Sequence, residues 1–357
     1  MTGWRHTVTT VCHCYPATHC SESSISTSNR GTFTTKNNLL HKDGSFRWIL
    51  ARGAAVRDEN GKPYRMVGSH LDITRSKLAE EAVQNNTAKL MTAQKIQERL
   101  LPQEAPEVPG IDISGVLYPA EFVASDHFDY LPIKGGKLGI MIGDVSGHGL
   151  DSALVMASVH AYLRALVDHY ERLEDLVSHL NAHLAREFEL GRYVTMFLGC
   201  FDPARRSFAY QNAGHPDGYL LDSFGRLKLQ MNSTAPPLGM FPCASFPAGN
   251  DVSLEAGDVV LLVTDGVAEA ESPDGVSFGC ERILSIARAN LPRSAQDIAA
   301  ALHDAVCSFT ERSTFSDDLT LVVMKVAGDE NERCEARPGG YPARGSFQVT
   351  CISDHAG

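Results

Sequence analysis

No apolar run in this 357-residue chain approaches the roughly 20 residues that cross a bilayer. The opening MTGWRHTVTT also lacks the apolar core of a secretory signal. Both absences lead us to expect a cytoplasmic protein with no membrane partner. Positive charge is scarce: 32 Lys and Arg face 43 Asp and Glu, for a formal net charge of −11. A surface of that sign repels phosphate backbones and anionic lipid, which argues against nucleic acid as a partner. The nine cysteines follow no framework spacing, and a chain of this size needs no disulfide staples, so they read as reduced thiols. CHCYPATHC (residues 12–20) offers zinc-like ligands, but no second Cys/His pair follows at finger spacing.

What is present divides into five parts. Residues 1–38 are rich in Ser, Thr and Asn with almost no apolar periodicity, and a disordered leader is expected there. Residues 39–75 carry hairpin signals: Phe46, Trp48 and Leu50 alternate with Arg47, Ile49 and Ala51, and Asp58-Glu59-Asn60-Gly61 supplies a turn. Residues 76–104 begin as a polar helix free of Gly and Pro. Within it Val83, Asn86, Leu90, Ala93 and Leu100 fall on heptad-like spacing, interrupted at Ser76 and Gln97. This suggests a homodimer through residues 76–101, with a plain connecting helix as the alternative. Residues 105–327 form the main domain, and residues 328–357 read as a disordered tail. In the main domain LGIMIG is followed by two helices, one with Leu150, Ala153, Leu154, Ala157 and Ala161 on a stripe, the other with Leu173, Leu176, Val177, Leu180 and Leu184. Five strand patterns follow, then two helices, then LTLVVMKV. Strands grouped in this way predict an α+β fold of antiparallel sheets with helices outside.

Aspartates mark the strand ends. Asp144 stops LGIMIG, Asp265 stops VVLLVT, Asp317 and Asp318 precede LTLVVM, and Asp126 and Asp129 flank an aromatic pair in VASDHFDYLPI. A single Asp at a strand end is a routine turn residue. Several on buried strands, if their ends converge, are costly unless a cation balances them. No Lys or Arg lies inside these motifs. All-oxygen ligands favour Mg²⁺ or Mn²⁺ over zinc. Gly147 and Gly149 leave room for carbonyls and water near such an ion.

The ordered series PAEFVASDHFD, IGDVSGHG, NAGHP, PPLGM, GDVVLLVTDGVAEA and SDDLT resembles the metal-dependent, PPM-type protein serine/threonine phosphatases. The SpoIIE-like bacterial branch is the nearest, and AQKIQERLLP upstream matches the helix that usually leads into that domain. The resemblance covers about residues 93–326. It implies a four-layer αββα sandwich and two Mn²⁺ or Mg²⁺ ions at one edge. It also implies a site of Asp144, Asp265 and Asp317. Asp144 would bridge both ions and the Val145 carbonyl would serve one. Asp265 and Asp317 would complete the second position, and Asp126 would reach the first directly or through water. Asp317 rather than Asp318 is the expected ligand of its pair. The implied substrate is a phosphoserine or phosphothreonine protein, an anti-anti-sigma factor by analogy. His148 and His215 are minority candidates for proton transfer. The family usually has two glycines before the first Asp, where this chain has Ala124-Ser125, and His127 stands where an aromatic is common. If the backbone there needs positive φ, the loop is strained, and a non-catalytic sensor or scaffold becomes the rival reading.

Residues 39–80 resemble the C-terminal half of a PAS sensor domain, including the DIT-R end that leads into a signalling helix. The pocket-forming half is not recognisable, so neither haem nor flavin is expected. Cys200 and Arg206-Ser207 match the C-x5-R-S spacing of cysteine-dependent phosphatases. Their segment joins two strands instead of cradling phosphate at a helix start, so the match reads as chance.

Overall fold

The computed structural model describes residues 26–27, 32–188, 191–249, 251–311 and 315–328. The chain forms two compact units, Met1–Lys89 and Leu90–Gly357. In the first, β1 (Ser26–Thr27), β2 (Thr32–Leu40), β3 (Phe46–Arg57) and β4 (Pro63–Asp72) make one antiparallel sheet in chain order. The turn between β3 and β4 falls where Asp58-Glu59-Asn60-Gly61 put it, and the Asp58 carboxylate accepts from the Asn60 and Lys62 N–H groups. The expected leader through residue 38 is corrected in part, because β2 begins at Thr32 and pairs with β3 along its whole length. TFTTKNN hides this strand from a periodicity search: most of its residues stay partly exposed, so no apolar alternation is required. The rest of the leader, and the tail from residue 329, lie outside the described residues. Helix α1 (Thr74–Glu98) opens with the Asp72 carboxylate accepting from Thr74 N–H at 2.9 Å, a local cap of the first turn. It has no buried residue, and Val83, Met91 and Ile96 are exposed.

The second unit is built from two five-stranded antiparallel sheets. One has β5 (Ile111–Tyr118) at its edge. The other pairs β6 (Asp126–Ile133) with β7 (Lys137–Val145). After β7 come α2 (Leu150–Leu166), a 3₁₀ turn (Val167–His169) and α3 (Leu173–Glu187). Then follow β8 (Val194–Asp202), β9 (Ser207–Ala213), β10 (Gly218–Leu221), β11 (Leu227–Met231), β12 (Val252–Ser253) and β13 (Val259–Val263). Short α4 (Asp265–Ala268), then α5 (Gly279–Ala289), α6 (Ala295–Thr310) and β14 (Leu319–Val326) complete the unit. The strand orders are β11-β10-β13-β14-β5 and β12-β9-β8-β7-β6.

Three cores hold four layers together. Phe128, Ile140, Ile142, Phe197, Phe208, Leu262 and Val322 fill the space between the sheets. Val263, Ile298, Leu302 and Leu321 join the first sheet to α5 and α6. Met141, Val159, Leu163, Leu180 and Leu198 join the second to α2 and α3. Each large side chain buried this way contributes about 2–3 kcal/mol before ordering costs. Strands buried on both faces explain the nearly continuous apolar runs in β7, β13 and β14. The α+β sandwich expected from the sequence is what the chain forms.

Two local readings need correction. Leu150–His169 is long and apolar enough, by length and composition, to cross a bilayer, contrary to the expectation that no stretch comes close. Its small residues raise the hydropathy, while Met156, Val159 and Leu163 pack onto the sheet as a core helix does. The buried face of that helix is rotated from the expected stripe: Ala153 is buried as expected, but Leu150 and Leu154 are exposed, and Ser152, Met156, Val159, His160 and Leu163 are buried.

Candidate metal centre

Alternation along the strands answers why a carboxylate ends an apolar run. In β7, Leu138, Ile140 and Ile142 point into the space between the sheets, and Asp144 is next in that row. In β6, Asp126 extends the row of Phe128 and Tyr130 and pairs directly with Asp144. From the other sheet, Thr264 extends the row of Val260 and Leu262, and Thr320 that of Val322 and Met324. At this end of the sandwich the apolar core therefore gives way to a polar floor. The Asp126 carboxylate accepts from the Thr264 hydroxyl at 2.8 Å and from Thr320 at 2.5 Å, which links the two sheets.

Asp265 and Asp317 are brought to the same end by the β13–β14 pairing. Asp265 starts α4, and Asp317 lies in the bend before β14. A Cβ at Gly266 would meet the Asp318 carbonyl at 2.1 Å, so only glycine lets these two segments approach. Gly147 and Gly149, both at positive φ, turn the chain from Val145 into α2. Val145 is the last residue of β7, so its carbonyl lies at the strand end beside Asp144.

The electrostatics show uncompensated negative charge. Burial, then the charges of Asp265 and Asp317, push the Asp144 carboxyl up to about 7. Asp265 is raised by burial and by Asp317. Asp126 is raised well above the usual range by burial, then by Asp144 and Asp318. Among the described residues none of these carboxylates pairs with a Lys, Arg or His. Four oxygen-bearing side chains and a strand-end carbonyl, without nitrogen or sulfur, suit hard divalent cations. The donor set fits Mg²⁺ or Mn²⁺.

Asp318 has a different task. Its carboxylate accepts from the N–H groups of Ala120 at 2.8 Å, Ser125 at 2.7 Å and Asp126 at 3.4 Å, and from the Ser125 hydroxyl at 3.1 Å. It pins the loop that delivers Asp126. Neither Ala124 nor Ser125 has positive φ, so the strain feared from the missing glycines does not arise. The Ser125 hydroxyl donates to Asp318, a contact that a glycine could not make. A second clamp, invisible in the sequence, comes from α1. Gln97 donates to the Ala124 carbonyl at 2.6 Å and accepts from its N–H at 2.9 Å. Ala124 is fully buried, so Gln97→Ala leaves both backbone groups unpaired at a cost of about 2 kcal/mol. We expect that variant to melt earlier and to need more Mn²⁺ for half-maximal activity; an unchanged metal requirement would show that the clamp is only structural.

The remaining candidates lie elsewhere. His148 is exposed, its Nδ1 3.3 Å from Glu121. His215 is buried, with Nδ1 3.0 Å from the Thr195 hydroxyl. Burial pushes its pKa down to about 3, so it is neutral at physiological pH and no proton donor. Asp129 points to the opposite face of its sheet, where Arg164 of α2 holds it and His160 Nε2 lies 3.1 Å away. Cys200 sits on β8 with its thiol pushed up to about 11 by burial. Cys200→Ala should therefore retain activity within about twofold, whereas a thiolate mechanism would lose it altogether.

Comparison with known proteins agrees with this geometry. Residues 134–327, more than half of the chain, match the family described as Stage II sporulation protein E (SpoIIE), and residues 14–70 match a PAS fold. Protein IcfG of Synechocystis sp. is 26% identical over 266 residues, which cover 67% of this chain but only 42% of that protein. Phosphoserine phosphatase RsbU of Bacillus subtilis is 24% identical over 235 residues, covering 65% of this chain and 68% of RsbU. The SiaA-PP2C domain of Pseudomonas aeruginosa superposes with a TM-score of 0.62 at 19% identity, covering 68% of this chain and 98% of that one. It shares the fold. With its match spanning both sheets and the Asp144, Asp265 and Asp317 segments, the chain belongs to the SpoIIE family.

Proposed function

We propose that this chain is a protein phosphatase that hydrolyses phosphoserine and phosphothreonine with two Mg²⁺ or Mn²⁺ ions. The observation that carries the reading is the convergence of Asp126, Asp144, Asp265 and Asp317 on one end of the sandwich without a balancing side-chain cation. Asp144, Asp265, Asp317, Asp126 and the Val145 carbonyl would hold the ions. Such ions, when bound, supply an activated water for attack on phosphorus and neutralise the phosphoryl oxygens. The chain's own residues prepare that place. Thr264 and Thr320 fix the Asp126 carboxylate, Ser125 helps Asp318 hold the loop before it, and Gly266 lets Asp265 lie beside Asp317. Neutral His215 braces Thr195, which pairs with Asp144 across β7 and β8.

For substrate we infer a phosphorylated anti-anti-sigma factor, on the family resemblance and on the likeness to a phosphoserine phosphatase. A second copy of the chain is the proposed partner of α1, supported by the exposed Val83 of the heptad-like row and by a helix with no buried residue. The sensor-or-scaffold alternative loses its premise with the unstrained Ala124-Ser125 loop. The test is phosphate release from a phosphoserine protein with and without Mn²⁺. Release that persists in chelator would overturn the proposal.

A further inference from the structure

On the outer face of the second sheet lies a different cluster. His127 and Asp129 of β6 point toward α2, where His160 and Arg164 stand one turn apart. His127, Asp129 and His160 are all buried, and one ligand atom from each lies within 4.8 Å of those of the other two. The Arg164 Nε–H is shared between two acceptors, Asp129 Oδ2 at 2.7 Å and His160 Nε2 at 3.1 Å, while Nη2 donates to Asp129 Oδ1 at 2.7 Å. A carboxylate oxygen and an imidazole lone pair thus already converge on one electropositive point. The His127 ring packs edge-on against His160, with centroids 4.7 Å apart. Its Nε2 is buried and has no hydrogen-bond partner among the described residues. A buried imidazole nitrogen without a partner, in a ring packed on His160, calls for an account.

We propose that His127, Asp129 and His160 form a second metal site, for a late first-row divalent ion of the Zn²⁺ class, which binds by displacing the Arg164 guanidinium. Two imidazoles and one carboxylate suit such ions, unlike the all-oxygen donors around Asp144. Tetrahedral coordination puts ligand atoms about 3.3 Å apart; His160 Nε2 and Asp129 Oδ2 already lie at 3.1 Å, and His127 needs to close by at most about 1.5 Å. The side chain of Arg164 is 47% exposed, so its guanidinium can retreat into water while the ion neutralises Asp129. The fourth position is left to water. Bound there, the ion ties α2 to the strand that begins with Asp126.

Co²⁺ is the probe, because a nitrogen-ligated four- or five-coordinate ion absorbs visibly where an oxygen-ligated octahedral one barely does. The full chain is titrated with Cys12, Cys14 and Cys20 replaced by Ser, so that this cluster of thiols does not compete. We expect one equivalent to develop the visible band. His160→Gln should weaken binding at least tenfold, and Asp144→Asn should leave the band intact. Arg164→Gln should tighten binding at least tenfold, because it removes the competing cation. Should His160→Gln fail to fold by circular dichroism, His127→Gln, which deletes the unpartnered nitrogen, carries the same expectation. A band lost with Asp144→Asn, an affinity indifferent to both histidines, or weaker binding in Arg164→Gln would each overturn the proposal. The last result would mean that the arginine completes a purely structural network.

Discussion

Asp144→Asn abolishes phosphate release at every Mn²⁺ concentration, by at least about a thousandfold, and leaves the metal-free protein as stable as the parent or more so. The two halves of this expected result come from the same charge. Asp144 lies where both sheets contribute carboxylates, so its loss weakens every ion held there at once. Without metal, that carboxylate is a liability. Burial, Asp265 and Asp317 hold its pKa near 7, above the ordinary 3.8 of the unfolded chain. A raised acid contributes stability that is present below about pH 4 and lost as pH climbs through 7. Metal-free wild type and Asp144→Asn should therefore melt alike near pH 4 and diverge toward pH 8, with the variant higher. Excess Mn²⁺ should reverse that order by stabilising the parent alone. Calorimetry in chelator, repeated with Mn²⁺ at each pH, checks both arms. A variant markedly less stable without metal would make Asp144 a structural cap and sink the two-metal reading.

Much of this was legible before the fold was known, for physical reasons that also mark where legibility stops. β7, β13 and β14 read as strands because both faces are buried and the runs are apolar throughout. Thr32–Leu40 did not, because a polar edge-like strand carries no burial pattern to detect. Helix α3 showed its stripe through Leu176, Leu180 and Leu184. In α2 the many small residues fit two rotations equally well, and Leu150 and Leu154 led to the wrong one. The proposed metal-holding carboxylates could be singled out because carboxylates at the ends of apolar strands conflict with burial unless something compensates them. The residues that hold those carboxylates in place could not. Gln97, Ser125, Thr264 and Thr320 act through contacts far apart in the chain, and no local pattern distinguishes such a Gln, Ser or Thr from any other. The Ala124-Ser125 departure from the family looks like damage in the sequence, yet the serine hydroxyl donates to Asp318.

The Asp317-Asp318 pair puts this distinction to its strongest test. The sequence alone suggested that Asp318→Asn would be mild, since only one of two adjacent carboxylates should hold metal. The contacts of Asp318 change the expected phenotype. Asp318 is buried and faces three backbone N–H groups and one hydroxyl, all donors. An Asn there offers one carbonyl and turns an NH₂ toward donors, so at least one buried N–H loses its partner. A loss of about 3 kcal/mol follows. Since the loop so loosened carries Asp126, activity falls with it, and raised Mn²⁺ should restore part of that activity by pulling Asp126 back. Asp317 makes no such network; its one hydrogen bond among the described residues is from the Asp318 N–H. Asp317→Asn should therefore fold and melt no lower than the parent without metal, yet stay inactive however much Mn²⁺ is added. The informative comparison is melting temperature in chelator against activity across an Mn²⁺ titration, for both variants side by side. If Asp318→Asn proves unresponsive to Mn²⁺ while Asp317→Asn is rescued, the two roles are exchanged, and Asp318 is the ligand.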